Sequence, residues 1–151
     1  MGDHPNLPKH NPNATVRSVN ELISLDSSVT EIIIDNGVGD STFTVLDLSR
    51  FTRLRSLEIG DYCLNYVTTV NMTGLSALES VVIGKKSFME ADCFSLKNCQ
   101  KMKTLSIGNN SFVPCSVIEI ENVDALEVIE MSDSCFYYAS LELKSILILD
   151  E

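Results

Sequence analysis

The sequence predicts a mainly β, right-handed solenoid of about five coils with a 24-residue period and a short N-terminal capping helix. Three observations lead to this prediction: one type of segment recurs at a constant spacing, each copy contains two stretches of alternating apolar residues, and no copy could bury both of its faces alone. Stacked coils solve the last problem because neighbouring coils share one apolar interior.

Each copy of the repeat opens with a predicted strand and a turn. The segments LRSLEIGDYCL, LESVVIGKKSF, MKTLSIGNNSF and LEVIEMSDSCF start at positions 54, 78, 102 and 126, so their spacing is constant. Apolar residues recur at the same positions of every segment, and the last of these positions is Leu64, Phe88, Phe112 or Phe136. Self-similarity at this period is typical of solenoids, so these positions are predicted to face the core.

A second alternating stretch follows in each copy and predicts a second strand. Its apolar pairs are Val70–Met72, Phe94–Leu96, Ile118–Ile120 and Leu141–Leu143. The last pair comes one residue early, which indicates a one-residue deletion in the preceding loop. A more divergent copy begins near Val29, and its apolar positions include Ile32, Ile34, Leu46, Leu48 and Phe51.

Small residues form two columns in the turn after the first strand. One column contains Gly60, Gly84, Gly108 and Ser132, and the other contains Cys63, Ser87, Ser111 and Cys135. A glycine column suits either a turn with positive φ or a close approach of the backbone between coils. The second column is predicted to satisfy backbone groups of the turn. Because coils stack ~4.8 Å apart, Cys63 and Cys135 lie ~14 Å from each other and cannot form a disulfide.

The N-terminal segment differs from the repeats. Residues 1–15 contain three of the four prolines and are predicted to be a disordered tail or linker, with the solenoid spanning residues 16–151. Ser18 and Glu21 have the spacing of a capping box, which predicts a short helix. Such a helix would cover the open end of the first coil.

The C-terminal segment matches the opening of one more copy, because Leu149–Asp150–Glu151 has the spacing and character of Leu78–Glu79–Ser80. We expect the solenoid to continue beyond the C-terminus in a longer protein. The alternative is that Asp150 and Glu151 protect an open sheet edge.

The repeated IG-x-x-SF pattern within a 24-residue period resembles the leucine-rich repeats of the BspA-like subclass. The residues that carry the resemblance are Ile59–Gly60, Ile83–Gly84, Ser87–Phe88, Ile107–Gly108, Ser111–Phe112 and Ser134–Cys135–Phe136. The resemblance spans about Val29 to Glu151 and implies adhesion or protein recognition across stacked strands, without catalytic residues. The chain departs from the family at the ninth position, where the typical asparagine is present only as Asn110, and in a second stretch that predicts strand on the convex side.

Charge argues against several classes of partner. The net charge is −10, and residues 118–151 contain nine acidic side chains against Lys144 alone, whereas residues 50–103 contain eight basic and five acidic ones. Such a chain is expected to repel nucleic acid and anionic membranes.

No apolar run in the sequence reaches the ~18–20 residues that a membrane span needs. With no apolar core of a signal peptide, we expect a cytoplasmic location for the chain as it stands, or the cell surface if it is a fragment.

No pattern in the sequence predicts catalysis, a metal or a cofactor. The five cysteines contain no C-x-x-C pair, and the two histidines, His4 and His10, both lie in the predicted tail. Residues 35–40 are rich in Asp, Asn and Gly but lack the spacing of a calcium loop, so we interpret them as an ordinary turn. We therefore predict that the chain is not an enzyme, and a glycan-processing hydrolase is the weakest hypothesis.

The outward positions of the first strands predict the binding surface. They form two columns, with Glu31, Ser56, Ser80, Thr104 and Val128 in one and Ile33, Glu58, Val82, Ser106 and Glu130 in the other. A mixed surface with exposed aliphatic residues suits a protein partner better than a small molecule. The first hypothesis is a non-catalytic module that binds a protein of unknown identity, and the second is a structural or adhesin spacer of a larger surface protein. An ordinary sheet face without a specific ligand stays open as a further interpretation.

Overall fold

The computed structural model describes residues 12–137 and the backbone of residues 142–144. The chain is mainly β, a parallel-strand solenoid of about four turns with almost no helix. Two sheets run along the stack, and the apolar side chains of both sheets meet between them. The predicted fold class is confirmed at this level.

The first sheet consists of β1 (Asn13–Val16), β2 (Glu31–Ile34), β4 (Ser56–Ile59), β6 (Ser80–Ile83), β8 (Thr104–Ile107) and β10 (Val128–Met131), in that spatial order. The second sheet consists of β3 (Val45–Asp47), β5 (Thr69–Thr73), β7 (Cys93–Lys97), β9 (Val117–Glu121) and β11 (Glu142–Lys144). The helix α1 (Val19–Ile23) lies between β1 and β2 in the chain. Each turn of the solenoid therefore adds one strand to each sheet.

The strand register reproduces the sequence period. Ser56 of β4 pairs with Ser80 of β6, its equivalent in the next copy, and the same spacing joins β6 to β8 and β8 to β10. Leu143 of β11 pairs with Ile120 at a spacing one position shorter, so the one-residue deletion is confirmed. The pairing of Ile32 with Leu57 is one position longer than the regular spacing, which places one extra residue in the loop between β2 and β3.

The core contains the predicted apolar columns. Ile32, Ile34, Leu46, Leu48 and Phe51 of the divergent copy are buried, as are the corresponding residues of the next three copies. Phe112 has no exposed surface, and its ring stacks between Phe88 and Phe136 with centroid distances of 4.7 and 4.9 Å. Ile129 and Met131 of β10 differ, because they are only partly buried.

The predicted helix is present, but its capping box is only half formed. The Ser18 hydroxyl accepts the backbone N–H of Glu21 at 3.2 Å, as the box requires. The Glu21 carboxylate accepts the backbone N–H of Arg17 at 2.7 Å, one residue before the expected donor. Val19 and Leu22 are buried against the stack, and the Arg50 guanidinium donates to carbonyls at the end of the helix.

The boundary predicted for the N-terminal tail needs correction. Asn13–Val16 is strand β1, which pairs in parallel with β2, so the last residues assigned to the tail belong to the solenoid. Asn13 pairs with Glu31, and their separation along the chain is well short of 24 residues because α1 replaces part of a coil. Strand β1 therefore does not follow from the 24-residue period. Residues 1–11 and the further copy expected at residues 149–151 lie outside the described residues.

The glycine column is explained by the close approach of neighbouring coils, one of the two alternatives that the sequence allowed. A Cβ on Gly84 would lie 2.6 Å from the carbonyl carbon and oxygen of Gly60, and one on Gly108 would lie 2.6 Å from the carbonyl carbon of Gly84. Neither Gly84 nor Gly108 has a positive φ. Positive φ occurs instead two and four positions after each member of the column, at Tyr62, Leu64, Lys86, Phe88, Asn110, Phe112, Ser134 and Phe136.

The column of small polar residues ties the coils together, as predicted. The buried Ser87 hydroxyl donates to the Gly60 carbonyl at 2.8 Å and accepts the Cys63 backbone N–H at 3.0 Å. The buried Ser111 hydroxyl repeats both contacts one coil on, with the Gly84 carbonyl at 2.7 Å and the Ser87 N–H at 3.1 Å. Each hydroxyl therefore satisfies two backbone groups of the preceding turn.

Candidate functional site

The outward surface of the first sheet, which we call the strand face, brings together all ten residues predicted from the sequence. Strand pairing places Glu31, Ser56, Ser80, Thr104 and Val128 in one continuous column, and Ile33, Glu58, Val82, Ser106 and Glu130 in the neighbouring one. The columns follow from the register, because a parallel pair without a bulge keeps equivalent residues side by side.

Strand β1 extends both columns by residues that the sequence analysis assigned to the tail. Asn13 pairs with Glu31 and Thr15 pairs with Ile33, so both continue the strand face. The alternation of Asn13 and Thr15 with the inward Ala14 and Val16 is the only sequence signal for this strand. So short a stretch does not stand out from a Pro- and Asn-rich context.

None of the ten predicted side chains of the strand face forms a hydrogen bond or an ion pair with another described residue. Ile33, Val82 and Val128 are each 41% exposed. The charged members, Glu31, Glu58 and Glu130, are all acidic. The strand face therefore offers separate aliphatic groups, free hydroxyls and uncompensated carboxylates to a partner.

Charges at the border of the strand face alternate in sign. The residues that directly precede β4, β6, β8 and β10 are Arg55, Glu79, Lys103 and Glu127. Arg55 and Glu79 form an exposed ion pair, with 3.1 Å between Nε and Oε2. Because these charges alternate along the border, they leave the acidic character of the strand face in place.

The outward face of the second sheet is organised differently, because most of its described polar side chains bind each other. Asn71 donates to Asp47 at 3.4 Å, and Ser95 donates to Glu119 at 3.2 Å. Lys97 pairs with the same Glu119 at 2.9 Å, and this contact raises the pKa of Lys97. These groups are already satisfied within the chain and are less available to a partner.

A shallow depression of about 420 Å³ lies where the strand face meets the turns after β2 and β4. The residues that line it include the aliphatic Ile33 and the polar Glu58, Asp35 and Asn36. Asp35 forms an exposed ion pair with Arg17 at 3.6 Å, and Asn36 accepts the backbone N–H of Asp61 at 2.8 Å. Glu58 therefore supplies the unpaired carboxylate of this depression.

The loop considered for calcium forms local turn contacts. The Asp40 carboxylate accepts the hydroxyl and the backbone N–H of Thr42, and these hydrogen bonds lower the pKa of Asp40. Over residues 12–137, no group of three or more His, Cys, Asp or Glu residues is placed to hold a metal ion. His4 and His10 belong to the part of the chain that the structure does not describe.

The cysteines are free thiols, and most lie in the core. Burial raises the pKa of Cys63 and Cys99, and raises that of Cys115 to about 11. A thiol with a raised pKa is protonated at neutral pH and is a poor nucleophile or metal ligand. These residues act as small core side chains in the described part of the protein.

Among the described residues, no helix is both long and apolar enough to cross a bilayer. Comparison of the chain with protein-family models, with curated proteins and with solved structures finds no match.

Proposed function

We propose that the chain is a non-catalytic module that binds a protein partner through the strand face. The observation that supports this most strongly is the contrast between the two outward surfaces. Most of the described polar side chains on the outward face of the second sheet are bonded to each other, whereas those of the ten predicted strand-face residues bond to nothing else in the described chain. Unsatisfied polar groups beside exposed aliphatic side chains are what a protein partner can use.

The charge of the strand face defines the chemistry of the partner. Glu31, Glu58 and Glu130 have no basic residue within the two columns, so the complementary surface carries lysine or arginine. Ile33 and Val82 are the neighbours of Glu58 in the same column and supply apolar contacts on either side of its carboxylate. A basic residue flanked by apolar ones fits this pattern.

We further infer that the coils are leucine-rich repeats of the BspA-like type, about five in number, with β1 and α1 as the N-terminal cap. The 24-residue register supports the repeat identity, as do the buried Ile-Gly and Ser-Phe positions. The position of β1 at the edge of the first sheet and the burial of Val19 and Leu22 support the cap. Strands on the second side are the main departure from the family.

The test of the strand face is partner capture by two variants with equal changes in charge. The first carries Glu58→Arg, Val82→Arg and Ser106→Arg on the strand face. The control carries Thr69→Arg, Val117→Arg and Glu121→Arg on the outward face of the second sheet. Proteins retained by the wild-type chain from a lysate of the source organism and from its surface fraction are identified, and the binding of each purified protein is then measured.

We expect the strand-face variant to lose the partner and the control variant to keep it, with both circular dichroism spectra unchanged. Equal binding by the strand-face variant and the wild type would contradict the proposal. Equal loss in both variants would show a general effect of charge instead of a site on the strand face.

The alternative function is a structural or adhesin spacer in a larger surface protein. The regular register over successive coils favours it, because a spacer needs defined length and stiffness and no specific surface. Failure of the wild-type chain to retain any protein from either fraction would favour the spacer.

A further inference from the structure

A second exposed surface, separate from the strand face, lies on the turns that follow β4 and β6. The side chain of Tyr62 is 49% exposed there. Two ammonium groups converge on its ring, with Lys85 Nζ at 5.9 Å and Lys86 Nζ at 5.7 Å from the ring centroid. Both distances are within the range of a cation–π contact. We call Tyr62, Lys85 and Lys86 the basic patch.

The backbone of this patch is in a conformation that its residues disfavour. Tyr62 has φ 58° and Lys86 has φ 52°, in the left-handed region. The equivalent positions of other coils are Gly37, Asn110 and Ser134, of which Gly and Asn suit this region best. Two coils therefore carry a large side chain where a glycine or an asparagine would fold with less strain.

Packing in the core does not explain these two residues. Leu64 and Phe88, two positions after Tyr62 and Lys86, also have a left-handed backbone. Their side chains are buried, so contacts in the core offset the backbone strain. Tyr62 and Lys86 are exposed and gain no such contacts. Strained residues that stability does not explain are frequent at functional sites.

The positive charge of the patch is available to a ligand. In the region from residue 12 to residue 137, neither Lys85 nor Lys86 forms an ion pair. Asp61, which directly precedes Tyr62, directs one carboxylate oxygen to the backbone N–H of Lys85 at 2.9 Å and not to its ammonium group. The net charge of the whole chain is −10, but the patch belongs to residues 50–103, which contain eight basic and five acidic side chains.

We propose that the basic patch binds a short acidic segment of a protein, with the two ammonium groups on its carboxylates and the Tyr62 ring against an adjacent apolar side chain. Charge complementarity selects an acidic ligand. The small size of the patch favours a short peptide over a long polyanion, which the net charge of −10 would repel. This surface is separate from the strand face and can be tested without it.

The experiment measures fluorescence anisotropy of a labelled peptide, acetyl-Glu-Asp-Leu-Glu-Asp-Glu, with the purified full chain at low salt. We expect saturable binding that weakens as salt is raised. The double variant Lys85→Gln, Lys86→Gln is expected to bind about tenfold more weakly, as for the loss of two exposed ion pairs. The matched control, Lys101→Gln with Lys103→Gln, changes the charge equally in the turn before β8 and should bind as the wild type does.

Two single variants separate the contributions to binding. Lys86→Arg keeps the charge and should keep the affinity. Lys86→Asn removes the charge and the left-handed strain together, so it should weaken binding while raising the melting temperature. In Lys86→Asn, a lower affinity for the peptide together with a higher melting temperature would show that Lys86 is retained for binding and not for folding.

Several results would overturn the proposal. These are no saturable binding of the peptide by the wild-type chain, or equal loss of binding in the Lys101 and Lys103 control. Binding of heparin or of single-stranded DNA through the same lysines, as tight as that of the peptide, would show a general polyanion site instead.

Discussion

Phe112 shows how one side chain links neighbouring coils. Its ring stacks on Phe88 and Phe136 and contacts Phe94 of β7 edge-on with 5.2 Å between centroids, so it joins three coils and packs against the second sheet. Its own φ is 55°, and the buried contacts hold the residue in this conformation. A substitution here removes packing from the middle of the stack and not from one coil alone.

We predict that Phe112→Ala lowers the free energy of unfolding by ~3–5 kcal/mol, because it opens a cavity that neighbouring rings cannot fill. Urea-induced unfolding followed by circular dichroism measures the change. Tyr66→Ala, at an exposed position in the turn before β5, is the control and should have little effect. A decrease in unfolding free energy below about 1 kcal/mol is typical of a surface substitution that opens no cavity, and it would contradict the role of Phe112 in the core.

Residue positions in the core were predictable because a solenoid repeats one environment. Leu57 pairs with Val81, and Val81 pairs with Leu105. These three residues therefore occupy the same buried position in successive coils. The left-handed residues Tyr62 and Lys86 were not predictable, because neither belongs to the types that favour positive φ. Their conformation is set by the turn that the whole stack repeats, not by their own preference.

At the scale of elements, the turn after each first strand determines how closely coils stack. Gly84 lies against the backbone of Gly60 on one side and of Gly108 on the other, and Ser87 and Ser111 bond across the same turns. The glycines allow the backbones to approach, and the hydroxyls satisfy the carbonyls that this approach buries. The two columns therefore act together.

We predict that Gly84→Ala lowers the free energy of unfolding by about 2 kcal/mol, since its Cβ would meet backbone atoms that cannot move away. Thermal and urea unfolding measure the change. Gly37→Ala is the matched control: its Cβ would have no atom within 4 Å, and only its positive φ of 77° opposes the substitution. If Gly84→Ala were as stable as the wild type, close approach would not explain the glycine column.

Element prediction succeeded where the period was intact and failed where it was interrupted. The second strands followed from apolar pairs such as Val70–Met72, and the shortened last copy was visible as a one-residue shift. Strand β1 does not follow from the period, because α1 shortens its distance along the chain from β2. The strand face was therefore predicted for β2 to β10, and its extension to Asn13 and Thr15 needed the structure.

At the scale of the whole molecule, stability is expected to vary along the stack. In a solenoid each coil contacts only its neighbours, so stability is approximately a sum of coil terms and interface terms. Strands β6 and β8 are paired on both sides, whereas β1 and β10 are the outer strands of the described first sheet. The residues Ile129 and Met131 of β10 are also less buried than their equivalents in β8.

We predict that amide hydrogens of β6 and β7 exchange most slowly and that those of β10 exchange faster, because Ile129 and Met131 of β10 are only partly buried whereas the inward residues of β6 and β7 are buried. Native-state hydrogen exchange with peptide-resolved mass spectrometry, repeated at low concentrations of denaturant, measures the gradient.

In Phe112→Ala the interface between the β8 coil and the β10 coil is weakened, so protection of β10 should fall more than that of β4. Equal protection of β4, β6 and β10 at every denaturant concentration would instead show that the stack unfolds only as a whole. A gradient would place the strand face of β4 and β6, with Glu58 and Val82, on the most rigid part of the molecule, where a binding surface loses least conformational entropy on complex formation.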